Sequence, residues 1–297
     1  MDKDSQVVII GAGEIGRAIE KILSQKGIKA NIWDKEPVPN QKSLAEIIPS
    51  ADFLFICTPS QALSDVLSKV RAYLDKKTIA VSLSKGISEN ENKTADELLE
   101  QLLPDNQPFG LLGGPMIAEE LMSGSKGFGT IATKHKETYT KLAGLFSGSE
   151  LSVEYSDDVH GVALAGILKN IYAIALGIAD GLSWANNKKG WLVSRALGEM
   201  EEITIILGGK GKTVYGLAGL GDLLATGQSP HSSNHMVGVE LVKTGQVLKG
   251  EGSQALPTIL SLLKGKGVFP ILMTLEKIII EKQNAKTVFE QLIVGGE

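Results

Sequence analysis

An α/β fold in two parts is what the 297 residues predict: a doubly wound, mostly parallel sheet first, and an all-α region after it. Three observations carry this. Short apolar runs alternate with amphipathic helical patterns from residue 6 to residue 156, as in a parallel sheet covered by helices. A glycine-rich turn, GAGEIG at 11–16, joins the first run to the first helical pattern. Beyond Ser156 the strand signals largely stop and helical periodicity continues. The boundary falls near residue 154, so segments 1–154 and 155–297 are expected to be separate domains.

In order, QVVII (6–10) is a continuous apolar run that fits a strand buried on both faces. A helix follows through Arg17–Gln25, then a strand at 29–34. Pro37 and Pro39 open a loop, and Ser43 is placed to cap a short helix through Ile48. ADFLFICTP (51–59) is a strand stopped by Pro59. Apolar residues at 63, 66, 67, 70 and 74 mark the next helix, and 78–86 the next strand. A helix over 94–103, a strand at 109–115 and a short helix ending at Ser123-Gly124-Ser125 come next. A strand at 127–133, a helix over 137–146 and a strand at 151–156 complete the region. Ser156-Asp157-Asp158 then reads as a helix start, with acids at the positive end of the dipole. Glycine-rich turns are expected at 208–211, 216–221 and 250–252.

Composition narrows the function. Apolar residues make up 43% and charged residues 22%, as in a soluble globular protein. A net charge of −4, with no basic block interleaved with aromatics, argues against a nucleic-acid partner. The one cysteine, Cys57, excludes an intrachain disulfide and a cysteine-based zinc cluster, and its apolar run makes it a core thiol. Of the histidines only HSSNH (231–235) has the i, i+4 spacing, and no carboxylate accompanies it, so no metal is expected. No Gly-x-Ser-x-Gly turn is present. The N-terminus enters a strand directly, without a signal-peptide pattern, so a cytoplasmic location is expected.

The stretch 161–181, GVALAGILKNIYAIALGIADG, is almost wholly apolar and rich in small residues, which suits a helix buried on most sides. A membrane span would place Lys169, Asn170 and Asp180 in lipid at about 2–3.5 kcal/mol for each charge, so a buried helix in a globular domain is the cheaper account. A lysine in such a helix either snorkels to its end or reaches a cavity, counter-charge or ligand. Asp180 lies close to the Lys169 face at helical periodicity.

GAGEIG places Gly11, Gly13 and Gly16 after a strand and at the mouth of a helix that also carries Glu14 and Ile15. Gly11 allows the tight turn, Gly13 lets backbone approach a pyrophosphate, and Gly16 lets helix and strand pack closely. The helix start then offers N–H groups and positive potential to phosphates. Asp34 ends the second strand, where a carboxylate accepts from a ribose and repels a 2′-phosphate. The expected cofactor is NAD, with NADP left open by the adjacent Lys35. The sheet is then of the Rossmann type.

Four further segments stand in a fixed order: SLSKG (82–86), GGPMIAEE (113–120), the 161–181 stretch with its LKN, and GLAGLGDLLATGQSPHSSN (216–234). With GAGEIG they resemble bacterial-type NAD(P)-dependent glycerol-3-phosphate dehydrogenase over nearly the whole chain. The resemblance implies hydride transfer between NAD(P)H and dihydroxyacetone phosphate or sn-glycerol 3-phosphate. It implies that Lys169 donates a proton to the ketone oxygen, that Lys85 sits beside nicotinamide and substrate, and that Asp222 holds the charge state of the lysines. Gly114 and Met116 would line the substrate, and Ala118 and Glu251 the cofactor. Ser232, Ser233 and Asn234 would hold the substrate phosphate, Ser233 also approaching the cofactor. The expected partner is a small phosphorylated substrate, and a homodimer is compatible with the pattern. The chemistry agrees, because hydride attack on a carbonyl develops an alkoxide that a nearby ammonium stabilises and protonates.

Two features depart from the family. An arginine precedes the asparagine there, whereas this chain has Ser233, with His231 and His235 nearby. A hydroxyl does not replace a bidentate guanidinium. The segment between Asp34 and residue 51 is also short. Arg195 matches a helix position that suggests packing or an interdomain ion pair. Two other readings stay open: a reductase of another small oxo acid or alcohol, and a dinucleotide-binding protein without catalysis.

Overall fold

The computed structural model describes residues 5–88, 90–229 and 232–294. The chain divides into two compact units, Met1–Ala163 and Leu164–Glu297.

The first unit is built on β1 (Val7–Ile10), β2 (Ala30–Trp33), β3 (Phe53–Ile56), β4 (Ile79–Ser82), β5 (Ile87–Ser88), β6 (Lys93–Thr94), β7 (Phe109–Gly113), β8 (Gly127–Ala132) and β9 (Leu151–Ser156). Between them run α1 (Glu14–Gln25), α2 (Leu44–Ile47), α3 (Ser60–Val70), α4 (Ala95–Leu102), α5 (Ala118–Ser123) and α6 (Lys136–Phe146). Seven strands form one sheet in the order β2-β1-β3-β4-β7-β8-β9. Its pairs are parallel except β7–β8, where Leu111 faces Ala132 in antiparallel register. Every residue of β1, β3 and β4 is buried, which is why these strands read as unbroken apolar runs rather than alternating ones. Helix α1 buries Gly16, Ala18, Ile19, Ile22 and Leu23 against the sheet, a face set by helical periodicity. Each large apolar side chain so buried contributes about 1.5–3 kcal/mol relative to exposure.

Local signals act as the sequence predicts. Ser43 and Glu46 form a reciprocal capping box on α2, the Ser43 N–H donating to Glu46 Oε2 at 2.9 Å. Gly124 ends α5 in the left-handed region, φ 90°. Cys57 is buried in the core, and burial pushes its thiol up to about 12. The two-residue hairpin of β5 and β6 was not expected; such short strands carry no periodicity.

The second unit is helical. It contains most of α7 (Val159–Gly181), then α8 (Asn186–Ile206), α9 (Asp222–Gln228), α10 (Ser233–Thr244), α11 (Glu251–Leu263), α12 (Pro270–Ile279) and α13 (Ala285–Val294). Asp158 accepts from the Gly161 N–H at 3.1 Å and so caps α7, as the acidic start suggested. Helix α7 is long and apolar enough to cross a membrane, but its most apolar window is 100% buried inside the protein. Its small residues have the expected use. A Cβ on Gly177 would lie 2.0 Å from the His235 carbonyl oxygen, and one on Gly238 of α10 would lie 2.1 Å from that of Ile174. The two helices therefore touch backbone to backbone. Residues 217–221, expected as a loose turn, form a wide π-helical turn that runs straight into α9. Gly250–Gly252 likewise opens α11 instead of forming a separate turn.

Candidate active site

In the first unit, a cavity of about 480 Å³ is lined by Gly11, Gly13, Asp34, Lys35, Cys57 and Thr58, among others. The three glycines of GAGEIG differ in kind. Gly11 has φ 104°, and a Cβ there would meet the Cys57 carbonyl oxygen at 2.7 Å. A Cβ on Gly16 would stand 2.0 Å from the Gly11 carbonyl oxygen. Both are required by the fold itself. Gly13 has ordinary extended backbone, and a Cβ there would meet nothing within 4 Å. Its open side faces a cavity at the start of α1.

Asp34 Oδ2 accepts from the Ala12 N–H at 2.6 Å, and Oδ1 from the Glu36 N–H at 3.0 Å. Burial alone would raise this carboxyl, but the Ala12 and Glu36 hydrogen bonds outweigh it and hold it below its ordinary value. The ionised group thus fixes the glycine-rich loop from the end of β2. Glu14 is the exposed first residue of α1, and Ile15 packs part-buried on the core. Thr58, which the sequence did not single out, lines the same cavity with a buried hydroxyl that has no hydrogen-bond partner among the described residues. Its only signal is its place just after β3.

Lys85 follows β4 and donates from Nζ to the Gly114 carbonyl oxygen at 3.0 Å, so these two predicted substrate residues meet. Gly114 needs to be glycine: φ is 128°, and a Cβ would lie 2.7 Å from the Phe128 carbonyl oxygen. Met116 and Ala118, expected against substrate and cofactor, are 7% and 9% exposed and pack in the hydrophobic core of the unit.

In the second unit the LKN of α7 divides its contacts. Lys169, 6% exposed, places Nζ 2.7 Å from Thr226 Oγ1 and 3.2 Å from Asp222 Oδ1. Thr226 Oγ1 lies 3.1 Å from Asp222 Oδ1 and closes the triangle. The π-helical turn delivers Asp222 as the first residue of α9, and Thr226 follows one helical turn on. Thr226 was not anticipated, although the i, i+4 spacing from Asp222 is its signal. A buried ammonium is tolerable here because a carboxylate and a hydroxyl receive it.

Asn170 turns to other helices. Its Nδ2 donates to Glu251 Oε2 at 3.0 Å, and its Oδ1 accepts from Asn234 Nδ2 at 2.9 Å. Asn234 Oδ1 in turn accepts from the Gly252 N–H at 2.9 Å. Asn234 and Glu251 are thus brought together beside α7. Ser232 caps α10 by accepting from the His235 N–H, and Ser233 is the exposed first residue of that helix.

Asp180 is not the partner of Lys169. Its Oδ1 pairs with Lys189 Nζ at 3.0 Å and its Oδ2 with His235 Nε2 at 2.8 Å. Burial raises this carboxyl, yet the His235 and Lys189 contacts outweigh it and hold it low. His235, suggested as a source of charge for a phosphate, is 8% exposed and committed to Asp180, with Nδ1 buried and unpartnered. Facing a carboxylate, Nε2 is the donor in this contact. His231 lies outside the described residues. Arg195 is exposed on the wall of a groove with Glu199 and Glu202.

Comparison with known proteins follows the same lines. Residues 35–139 match the family described as NAD-dependent glycerol-3-phosphate dehydrogenase N-terminus, and residues 158–290 match its C-terminus counterpart. The chain is 34% identical over 266 residues to glycerol-3-phosphate dehydrogenase (NAD(P)+) 2 of Sphingopyxis alaskensis, covering 86% of this chain and 80% of that one. It is 35% identical over 269 residues to glycerol-3-phosphate dehydrogenase (NAD(P)+) of Carboxydothermus hydrogenoformans, covering 82% and 80%. The crystal structure of glycerol-3-phosphate dehydrogenase from Coxiella burnetii superposes with a TM-score of 0.87 at 26% identity, covering 98% of this chain and 99% of that one. A glycine-rich nucleotide turn on a doubly wound sheet, a buried lysine–aspartate pair on a helical unit and these similarities over most of its length place the chain in the NAD-dependent glycerol-3-phosphate dehydrogenase family.

Proposed function

We propose that this chain interconverts dihydroxyacetone phosphate and sn-glycerol 3-phosphate as an NAD(P)-dependent oxidoreductase, with Lys169 as the proton donor. Family membership supports the substrate pair, and the Lys169–Asp222–Thr226 triangle is the observation that carries the catalytic assignment. The cofactor, when bound, supplies the hydride. The first unit fits it by the open side of Gly13, the Asp34 carboxylate and the orphaned Thr58 hydroxyl, and is the dinucleotide-binding domain in this reading. The second unit is then the substrate domain.

Asp222 keeps the Lys169 ammonium charged, and Thr226 fixes its direction. As the carbonyl oxygen gains charge, Lys169 Nζ passes a proton to it and recovers one from solvent. The reverse reaction returns that proton. Lys85, anchored on Gly114, adds a second cation for the phosphorylated substrate. Asn234, Ser232, Ser233 and the N–H groups that open α10 hold the phosphate ester, the helix start favouring an anion. In this reading Glu251 and the small exposed edge of Ala118 face the cofactor, and Gly114 and the small exposed edge of Met116 face the substrate, the rest of Met116 and Ala118 being packed in the core. Asp34 supports NAD over NADP. The burial of α7 inside the protein argues against its crossing a bilayer.

The test is NADH oxidation, followed by absorbance, with dihydroxyacetone phosphate against a panel of oxo acids. Turnover confined to an oxo acid overturns the substrate, and NADH binding without turnover on any of them overturns the enzyme reading.

A further inference from the structure

A broad cleft of about 980 Å³ lies along the edge of the first unit's sheet opposite the glycine-rich turn. It forms where β3, β4 and β7 begin and where antiparallel β8 ends. A strand length, about 13 Å for four residues, separates it from the nucleotide cavity. Lys76, Lys77, Lys134, Lys136 and Lys141 line it. Lys134 is paired with Glu100, and Lys141 with Glu137 at 2.8 Å. Of the two lining carboxylates, Glu137 is thereby engaged, and Asp52 accepts from the Gln6 N–H at 2.8 Å. Lys76, Lys77 and Lys136 have no carboxylate partner among the described residues, although the chain as a whole carries a net charge of −4.

Helix α6 starts in the same cleft, and the residue before it, His135, makes no side-chain cap bond. Thr138, in that first turn, is only 5% exposed and lines the cleft, with a hydroxyl that makes no hydrogen bond among the described residues and remains accessible to solvent. A helix start without a side-chain cap, a hydroxyl held at the cleft wall by an otherwise buried threonine, and three ammonium groups with no carboxylate partner among the described residues together suit phosphate oxygens. The lining Phe53 and Ile79 are 4% and 3% exposed, so neither is free to stack a base or to enter a bilayer. The cleft volume is that of a small-molecule site. We propose that this cleft binds a small polyanion carrying two or more phosphate groups, at a site separate from the dinucleotide.

The probe is inorganic tripolyphosphate, titrated calorimetrically into the NADH-saturated full-length protein without divalent metal. One-to-one binding that weakens with added salt is expected. The triple variant K76Q/K77Q/K136Q should weaken it about tenfold or more, and T138V severalfold, with NADH affinity unchanged in both. No binding to the NADH-saturated protein overturns the site, as does native affinity in the triple variant. Should the triple variant also lose NADH binding, the single variants K136Q and T138V are read instead, and native tripolyphosphate affinity in both overturns it.

Discussion

Gly13 and Gly16 offer a paired test that separates ligand room from packing room. Ala at Gly16 puts a Cβ 2.0 Å from a backbone carbonyl oxygen, so α1 or the Gly11 turn has to shift. Overpacking of this kind costs about 1–3 kcal/mol or more. At roughly 2–4 °C per kcal/mol for a chain of this size, cofactor-free Gly16→Ala should melt about 2–12 °C lower. Ala at Gly13 meets nothing within 4 Å, and φ −68° with ψ −175° suits alanine. Gly13→Ala should therefore melt like the native protein. Its methyl instead fills the space assigned to the pyrophosphate, and the same 1–3 kcal/mol then falls on binding, weakening NADH about 5- to 150-fold. Thermal melts of the cofactor-free proteins and NADH fluorescence titrations read the two effects. Native NADH affinity in Gly13→Ala would refute the placement of the phosphates, and equal destabilisation by both changes would refute the division of roles.

Further outcomes follow from other contacts. Lys169→Ala should lower turnover about 10²–10⁴-fold with NADH affinity near native, and single-turnover rates read the loss. Asp34→Ala should narrow the preference for NADH over NADPH, measured as a ratio of dissociation constants, because the carboxylate that repels a 2′-phosphate is gone. Ser233→Arg should lower the Michaelis constant for dihydroxyacetone phosphate about 10- to 150-fold, most clearly at low salt, since a charge-assisted bond contributes about 1.5–3 kcal/mol. Asp96 is a pH probe: burial raises its carboxyl, but hydrogen bonds from His160 and Thr94 outweigh this and hold it below 3.8. A depressed folded value means that its ionised form stabilises the fold above that pH. The advantage of the native protein over Asp96→Asn in denaturant titrations should be full at pH 7 and vanish as pH falls through the folded value.

The elements whose patterns arise locally were legible. Buried parallel strands are apolar throughout, α1 shows its core face, and GAGEIG precedes a helix start, so β1, α1 and the glycine-rich turn between them could be read directly. Partner choice across space was not. Asp180 shares a face of α7 with Lys169 by periodicity, yet a face admits several neighbouring helices, and α8 and α10 reach Asp180 first. Thr226 and Thr58 were missed because a threonine carries no pattern until its hydroxyl is seen bonded or stranded. The direction of β8 is set by its pairing with β7, not by its own apolar residues. The glycines of 216–221 read as a loop because glycine marks irregular backbone; here Gly219 permits a tight approach to the Val214 carbonyl oxygen inside a helical turn.

The buried cysteine has a practical corollary. Burial pushes the thiol up to about 12, so its thiolate is scarce at neutral pH, and the side chain is 7% exposed besides. Alkylating dyes and spin labels should pass over it. Because Cys57 is the sole cysteine of the chain, the native sequence already serves as a silent background for site-directed labelling. A cysteine introduced at exposed Ser233 or Lys136 would carry a single reporter, one beside the start of α10 and one in the lysine-lined cleft, without first engineering the wild-type thiol away.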